Sequence, residues 1–166
     1  MRYSDVIKAL KDQAIDFIVA GGHALTFHGV DTINTTLHLL VNLKRKNMEK
    51  LVDTLAGLGY SPVVPAHADH ILNATSRGQL VKDRRSDTVT FYNTKENGLV
   101  DVCLRDEMDY KTIKQGSVTY AKAGMRIPVV SAAHLLEMKM RSGKWRDIRD
   151  ARRLGEKLEG KIVMAN

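Results

Sequence analysis

The sequence is short of the features that staple or anchor a chain. Its one cysteine, Cys103, leaves no partner for an internal disulfide and no second thiolate for a zinc cluster. The flanking Asp101-Val-Cys-Leu104 reads as strand, which predicts a buried, inert thiol. With three Phe, five Tyr and one Trp, the chain is poorly supplied for a base-stacking platform. No apolar run approaches the ~18 residues of a membrane span. The opening MRYSDVIKALKDQ is too interrupted by charge to be a secretory h-region, so a soluble cytoplasmic protein is expected. There is no Gly-x-Ser-x-Gly elbow, no Walker loop and no Cys-His pair in nucleophile context, so the common hydrolase and P-loop chemistries have no support. Internal repeats, low-complexity segments and linkers are also missing.

What is present suits one folded unit. At 166 residues and 43% hydrophobic content, the chain is long enough to bury a core, and residues 1–166 are expected to form a single domain. Lys and Arg number 26 against 19 Asp and Glu, a formal net charge of +7. The cations crowd at Lys44 to Lys46, Lys82 to Arg85 and Lys139 to Arg153. Such crowding describes either a solvated basic surface or a footprint for phosphate, RNA or DNA.

The periodicities order the elements. Ser4 is placed to cap a helix in which Tyr3, Val6, Ile7, Leu10 and Ala14 form the apolar stripe. Ile15 to Ala20 is a continuous apolar run, the mark of a strand covered on both faces. Gly21-Gly22 ends it, and Ala24 to His28 makes a short helix stopped by Gly29. Thr35 to Val41 reads as a second strand. Met48, Leu51, Val52, Leu55 and Leu58 define one face of a helix closed by Gly59. Tyr60 to Gly78 has no clear period, and Pro65 favours a loop there. Val89 to Tyr92 and Leu99 to Leu104 predict a hairpin around Asn93 to Gly98. Short strands follow at Val118 to Ala121 and Arg126 to Val130. Ser131 then caps a helix through Arg141, and Gly143 separates it from a last helix ending near Leu158. The expected class is α+β (α/β): a mixed β-sheet with flanking helices, two of them C-terminal.

One stretch carries a resemblance. Phe17 to Val30 reads Phe-Ile-Val-Ala-Gly-Gly-His-Ala-Leu-Thr-Phe-His-Gly-Val and leads to Thr36-Leu-His-Leu-Leu-Val41. It resembles the opening of the nucleotidyltransferase-like family that includes abortive-infection toxins and minimal nucleotidyltransferases. In that family a glycine turn precedes Asp-x-Asp on a strand, and a third carboxylate stands on a neighbouring strand. The physical basis is plain. Glycines let the backbone approach phosphates. Carboxylates at i and i+2 of a strand project from one face and hold magnesium against the triphosphate.

The resemblance places Gly21 and Gly22 in the turn, with His23 beside them, and Asp101 as the third carboxylate. The Asp-x-Asp positions fall on Thr36 and His38. Neither carries a fixed negative charge, and magnesium prefers hard oxygen ligands. The later stretch, Ser131 to Lys139 followed by Lys144-Trp-Arg-Asp-Ile-Arg-Asp150, resembles the family's helix lysine, basic turn and Asp-x-x-Asp. It implies catalytic roles for Asp101 and Lys139, nucleotide contacts from Gly21, Gly22, His23, Thr36, His38 and Lys144, and a divalent ion, Mg2+ or another, on Asp101 and His38.

The residues also allow plainer roles. Lys139 is either a lysine snorkelling past an apolar stripe or a phosphate contact. Asp147 and Asp150 either pair with neighbouring arginines at the surface or face the cleft. His38 either binds a softer metal with Asp101 or simply hydrogen-bonds it. His23 and His28 either pack or touch ligand, and His67 with His70 form a weak zinc candidate. The leading expectation is a nucleotide- or phosphate-binding protein with weak or absent nucleotidyl transfer. The alternatives are an active transferase with unusual metal ligands, and a non-enzymatic module with an RNA or protein partner, such as a toxin–antitoxin component.

Overall fold

The continuous apolar run becomes strand β1 (Phe17–Ala20), with all four residues buried. It lies between an antiparallel neighbour, β2 (Thr36–Val41), and a parallel one, β7 (Met125–Val129). The computed structural model describes residues 3–63, 68–84, 87–104 and 110–164. Among these residues the strands form one mixed, seven-stranded sheet in the order β3-β4-β5-β2-β1-β7-β6. The remaining strands are β3 (Ser61–Pro62), β4 (Thr88–Asn93), β5 (Gly98–Cys103) and β6 (Val118–Lys122). The predicted hairpin is present as β4 and β5, and β2 runs parallel to β5. Helices α1 (Tyr3–Asp12), α2 (Gly21–Phe27), α3 (Arg45–Gly57), α4 (Ala68–Leu72), α5 (Ala74–Arg84), α6 (Tyr110–Gln115), α7 (Ala132–Ser142) and α8 (Trp145–Met164) complete the α+β fold.

The period-two alternation of β2, β4 and β5 gives the sheet two unlike faces there. Leu37, Leu39, Val89, Phe91, Val100 and Val102 are buried and share a core with Leu10 of α1 and Met48, Leu51 and Leu55 of α3. Thr36, His38, Thr88, Thr90, Asp101 and Cys103 take the other, partly open face. A buried Leu or Phe contributes about 1.5–3 kcal/mol, so the apolar face fixes the register that places the polar one.

Several expectations need correction. Ser4 lies inside α1 rather than capping it, and its hydroxyl contacts Asp5. Gly21 and Gly22 are the first residues of α2, not a turn ahead of it. The unassigned stretch from Tyr60 holds β3, α4 and the start of α5, and His70 stands exposed in α4. His67 and Pro65 fall outside the described residues. Cys103 is half-buried on the open face rather than sealed in the core. Helix α8 continues to Met164. Ser131 does cap α7, accepting from the His134 N–H at 3.2 Å, and Gly143 ends it at φ 65°.

A polar hub at Asp16, just before β1, locks the far end of the sheet. Asp16 Oδ1 accepts from Lys114 Nζ at 2.7 Å and the Tyr110 hydroxyl at 2.9 Å, and Oδ2 accepts from Asn42 at 3.1 Å. Burial alone would raise the Asp16 carboxyl, but these hydrogen bonds and the Lys114 charge outweigh it and hold the pKa below its usual value. The hub ties α6 to β1 and β2 and gives that six-residue helix its anchor.

Candidate functional site

Register alone brings the centre of the site together. His38 pairs with Asp101 across β2 and β5, Asp101 with Thr90 across β5 and β4, and His38 with Ala20 across β2 and β1. The Thr90 hydroxyl donates to Asp101 Oδ1 at 2.6 Å, and Asp101 Oδ2 lies 3.4 Å from His38 Nδ1. Asp101 is mostly covered and His38 about half exposed, at 19% and 45% of the side chain. Loss of hydration is the largest influence on His38 and lowers its pKa. Asp101 pulls it up, Lys139 and Lys144 push it down, and the net shift is downward. The ring thus favours its uncharged form more than a free imidazole does, and Asp101 is the one carboxylate among positions 36, 38 and 101.

The glycine pair is needed for packing against the protein's own side chains. Gly21 has φ +61°, and a Cβ there would stand 2.7 Å from the His38 ring. A Cβ on Gly22 would stand 1.8 Å from Asn34 Oδ1. The same Asn34 amide donates to the Thr26 hydroxyl at 3.0 Å, bridging the loop before β2 to α2. The open side of each glycine is thus taken by His38 or Asn34.

Facing this floor is the junction of α7 and α8. Lys139 is buried, its side chain 8% exposed, and its ammonium donates to Asp147 Oδ1 at 2.8 Å and Asp150 Oδ2 at 3.0 Å. Asp147 Oδ2 also accepts from the Ser142 hydroxyl. Burial would raise the Asp147 carboxyl, but the bonds from Lys139 and Ser142 and the charges of Lys139 and Lys144 bring it below its usual value. Asp150 Oδ1 is buried with no hydrogen-bond partner. Between floor and junction lies a cleft of about 1190 Å3, lined by Gly21, Gly22, Thr36, His38, Asp101 and Lys139, with Lys144, Arg146, Arg149 and Arg153 along its α8 side. Trp145, 66% exposed, carries Arg146 and Arg149 at 5.5 and 5.2 Å from its ring centroid.

Most of the residues singled out from the sequence therefore meet in one place: Gly21, Gly22, Thr36, His38, Asp101, Lys139 and Lys144. His23 does not line the cleft. Its ring sits edge-on to Tyr3, 4.7 Å between centroids, with Nε2 buried and unpartnered. His28 is a packing residue, bonded to the Val130 carbonyl oxygen and the Tyr120 hydroxyl. Lys139 does not snorkel, and Asp147 and Asp150 pair with it rather than with the arginines of α8. Asn34 and Thr90 were not foreseen, and Arg153 only as the end of the basic run or a partner for the two aspartates. Thr90, one strand from Asp101 in the hairpin, was the most accessible of them, because i, i+2 alternation puts Thr88 and Thr90 on the face of Asp101.

The donor set does not fit magnesium held by paired carboxylates. One carboxylate, one imidazole and one threonine hydroxyl meet at the floor, and Asp101 Oδ1 already accepts from Thr90. Among the described residues no cluster of three or more His, Cys, Asp or Glu side chains is positioned to hold a metal ion. No described helix is long and apolar enough to cross a membrane.

No family model matches the sequence, and no curated protein does. Solved structures do match the fold. One is ANT(2'')-Ia in complex with adenylyl-2''-tobramycin, with TM-score 0.62, 13% identity, 98% of this chain and 91% of that one. Another is the lincosamide antibiotic adenylyltransferase LnuA bound to lincomycin, with TM-score 0.57, 14% identity, 92% of this chain and 94% of that one. A third is an antigenic nucleotidyltransferase-like protein from Paracoccidioides brasiliensis, with TM-score 0.56, 16% identity, 91% of this chain and 72% of that one. At these identities the likeness speaks for architecture, and on it this chain has a nucleotidyltransferase-like fold.

Proposed function

We propose that this chain is a single-domain, nucleotidyltransferase-fold protein of the minimal or abortive-infection type. It binds a nucleotide or another phosphate-bearing ligand in the cleft between β2, β5 and α8, and transfers nucleotidyl groups weakly or not at all. The observation that carries the reading is the row Thr90, Asp101, His38 with Thr36 beside it, where one carboxylate stands and the resemblance would expect three. In-line displacement needs its attacking and leaving oxygens clamped by cations, and metal clamping supplies several kcal/mol of charge stabilisation. An imidazole and a hydroxyl at positions 38 and 36 do not provide that clamp. The cleft is nonetheless large, and although Asp31, Asp87 and Asp101 line it too, Lys144, Arg146, Arg149 and Arg153 give its α8 side a positive charge suited to phosphates.

One fold neighbour is a lincosamide antibiotic adenylyltransferase and another is held in complex with adenylyl-2''-tobramycin, so hydroxylated small molecules belong among the acceptors tested. Incubation with labelled nucleoside triphosphates, magnesium or manganese and such acceptors is expected to give little or no product above the protein-free control. Robust transfer that disappears in Asp101→Ala would overturn the reading in favour of an active, metal-dependent enzyme using His38 and Asp101.

A further inference from the structure

The positive charge of this cleft does not sit where a metal would place it. At the floor, Asp101 shares its oxygens between Thr90 and His38, and the residues beside it at 36 and 38 are a threonine and a histidine rather than carboxylates. The glycine faces that would otherwise receive a phosphate are filled by the His38 ring and Asn34. The two other acids near the α7–α8 junction, Asp147 and Asp150, are both engaged by Lys139.

The α8 side is different. Lys144, Arg146, Arg149 and Arg153 line the cleft, and among the described residues none of them forms an ion pair with a carboxylate. Arg146 and Arg149 rest on the exposed Trp145 ring, a contact that uses no N–H donor and leaves each guanidinium fork available. A run of guanidinium groups matches the geometry of phosphate oxygens.

We propose that the cleft binds the polyphosphate chain of its ligand without a metal ion, with Lys144, Arg146, Arg149 and Arg153 supplying the positive charge. The inference rests on the reading above that the cleft takes a phosphate-bearing ligand, and it adds where the chain lies and in which form it arrives. The metal-free anion carries more negative charge than its magnesium complex, so it is the species these side chains attract most. Asp101 lines the same cleft, as do Asp31 and Asp87, and a carboxylate there disfavours the chain.

Calorimetric titration of the purified protein with ATP, and separately with inorganic tripolyphosphate, tests the proposal, each in EDTA and each in excess magnesium. The two ligands separate a nucleotide from a bare phosphate chain as the source. Binding in EDTA is expected to equal or exceed binding in magnesium by up to about tenfold. Arg149→Ala/Arg153→Ala is expected to weaken it about tenfold, and Asp101→Asn, which keeps an acceptor for Thr90, to tighten it severalfold. Binding that appears or strengthens with magnesium and is weakened by Asp101→Asn overturns the metal-free proposal while leaving phosphate binding intact. No binding of either ligand in either buffer overturns the phosphate-binding reading and the proposal with it. Thermal melts of each variant establish that the fold is retained.

Discussion

Lys139→Met is expected to lower the unfolding free energy by about 3–5 kcal/mol at pH 7, among the largest losses available to one substitution here. The reason is electrostatic rather than volumetric. Methionine fills much the same space, but Asp147 and Asp150 are left mostly buried, close together and without a counter-ion. Asp150 would fare worst, because its Oδ1 already lacks a partner.

The pH dependence separates this cause from poor packing. In the wild type Asp147 titrates below its ordinary value, so it contributes stability that is present above that value and lost as pH falls. In Lys139→Met, burial of Asp147 is no longer opposed by the ammonium and its carboxyl pKa rises. That variant gains stability as pH falls and Asp147 becomes neutral. Urea denaturation at neutral pH and near pH 4 is expected to show the gap between the two proteins closing. A gap that stayed constant would show that packing, not charge, dominates. Adding Asp147→Asn and Asp150→Asn to Lys139→Met is expected to recover much of the loss.

Thr36→Asp/His38→Asp carries the second large expectation. The double substitution puts three carboxylates on one face of β2 and β5, in the register that already holds His38 against Asp101. Without metal these like charges repel, and the melting temperature is expected to fall. Manganese is expected to reverse the fall. A ligand present at a hundred times its dissociation constant stabilises by about 2.7 kcal/mol, or about 5–10 °C for a domain of this size. The wild type is expected to show no such shift. Replacing His38 also removes the ring now packed on Gly21, opening the space beside the glycine that the metal-bound phosphates of an active site would need.

Much of this arrangement could be read from residues alone, and the parts that could not share a cause. The α3 stripe and the β4–β5 hairpin declare themselves because burial imposes a period on each, and β1 because burial on both faces leaves an unbroken apolar run. That His38 and Asp101 would be neighbours followed from two strands, one resemblance and the i, i+2 rule. Helix α6 was missed because its six residues bury mainly Ile113 and depend on Asp16, a tertiary contact across 94 and 98 residues of sequence. Lys139 was ambiguous for the same reason. Its apolar neighbours on α7 allow a surface or a cleft position, and only the packing of α8 against α7 delivers the two aspartates that bury it. Asn34 gave no signal at all, since an asparagine in a loop usually belongs to a turn. Its place against Gly22 is fixed by how the loop folds back on α2.

The central claim is that positions 36, 38 and 101 share one pocket holding a single anionic side chain. Titrating the wild-type protein with Mn2+, and following the free ion by electron paramagnetic resonance, interrogates that pocket without substrate. The free-ion signal is predicted to rise as it does in buffer, up to millimolar metal. Stoichiometric uptake at micromolar Mn2+, abolished by Asp101→Ala, would contradict it.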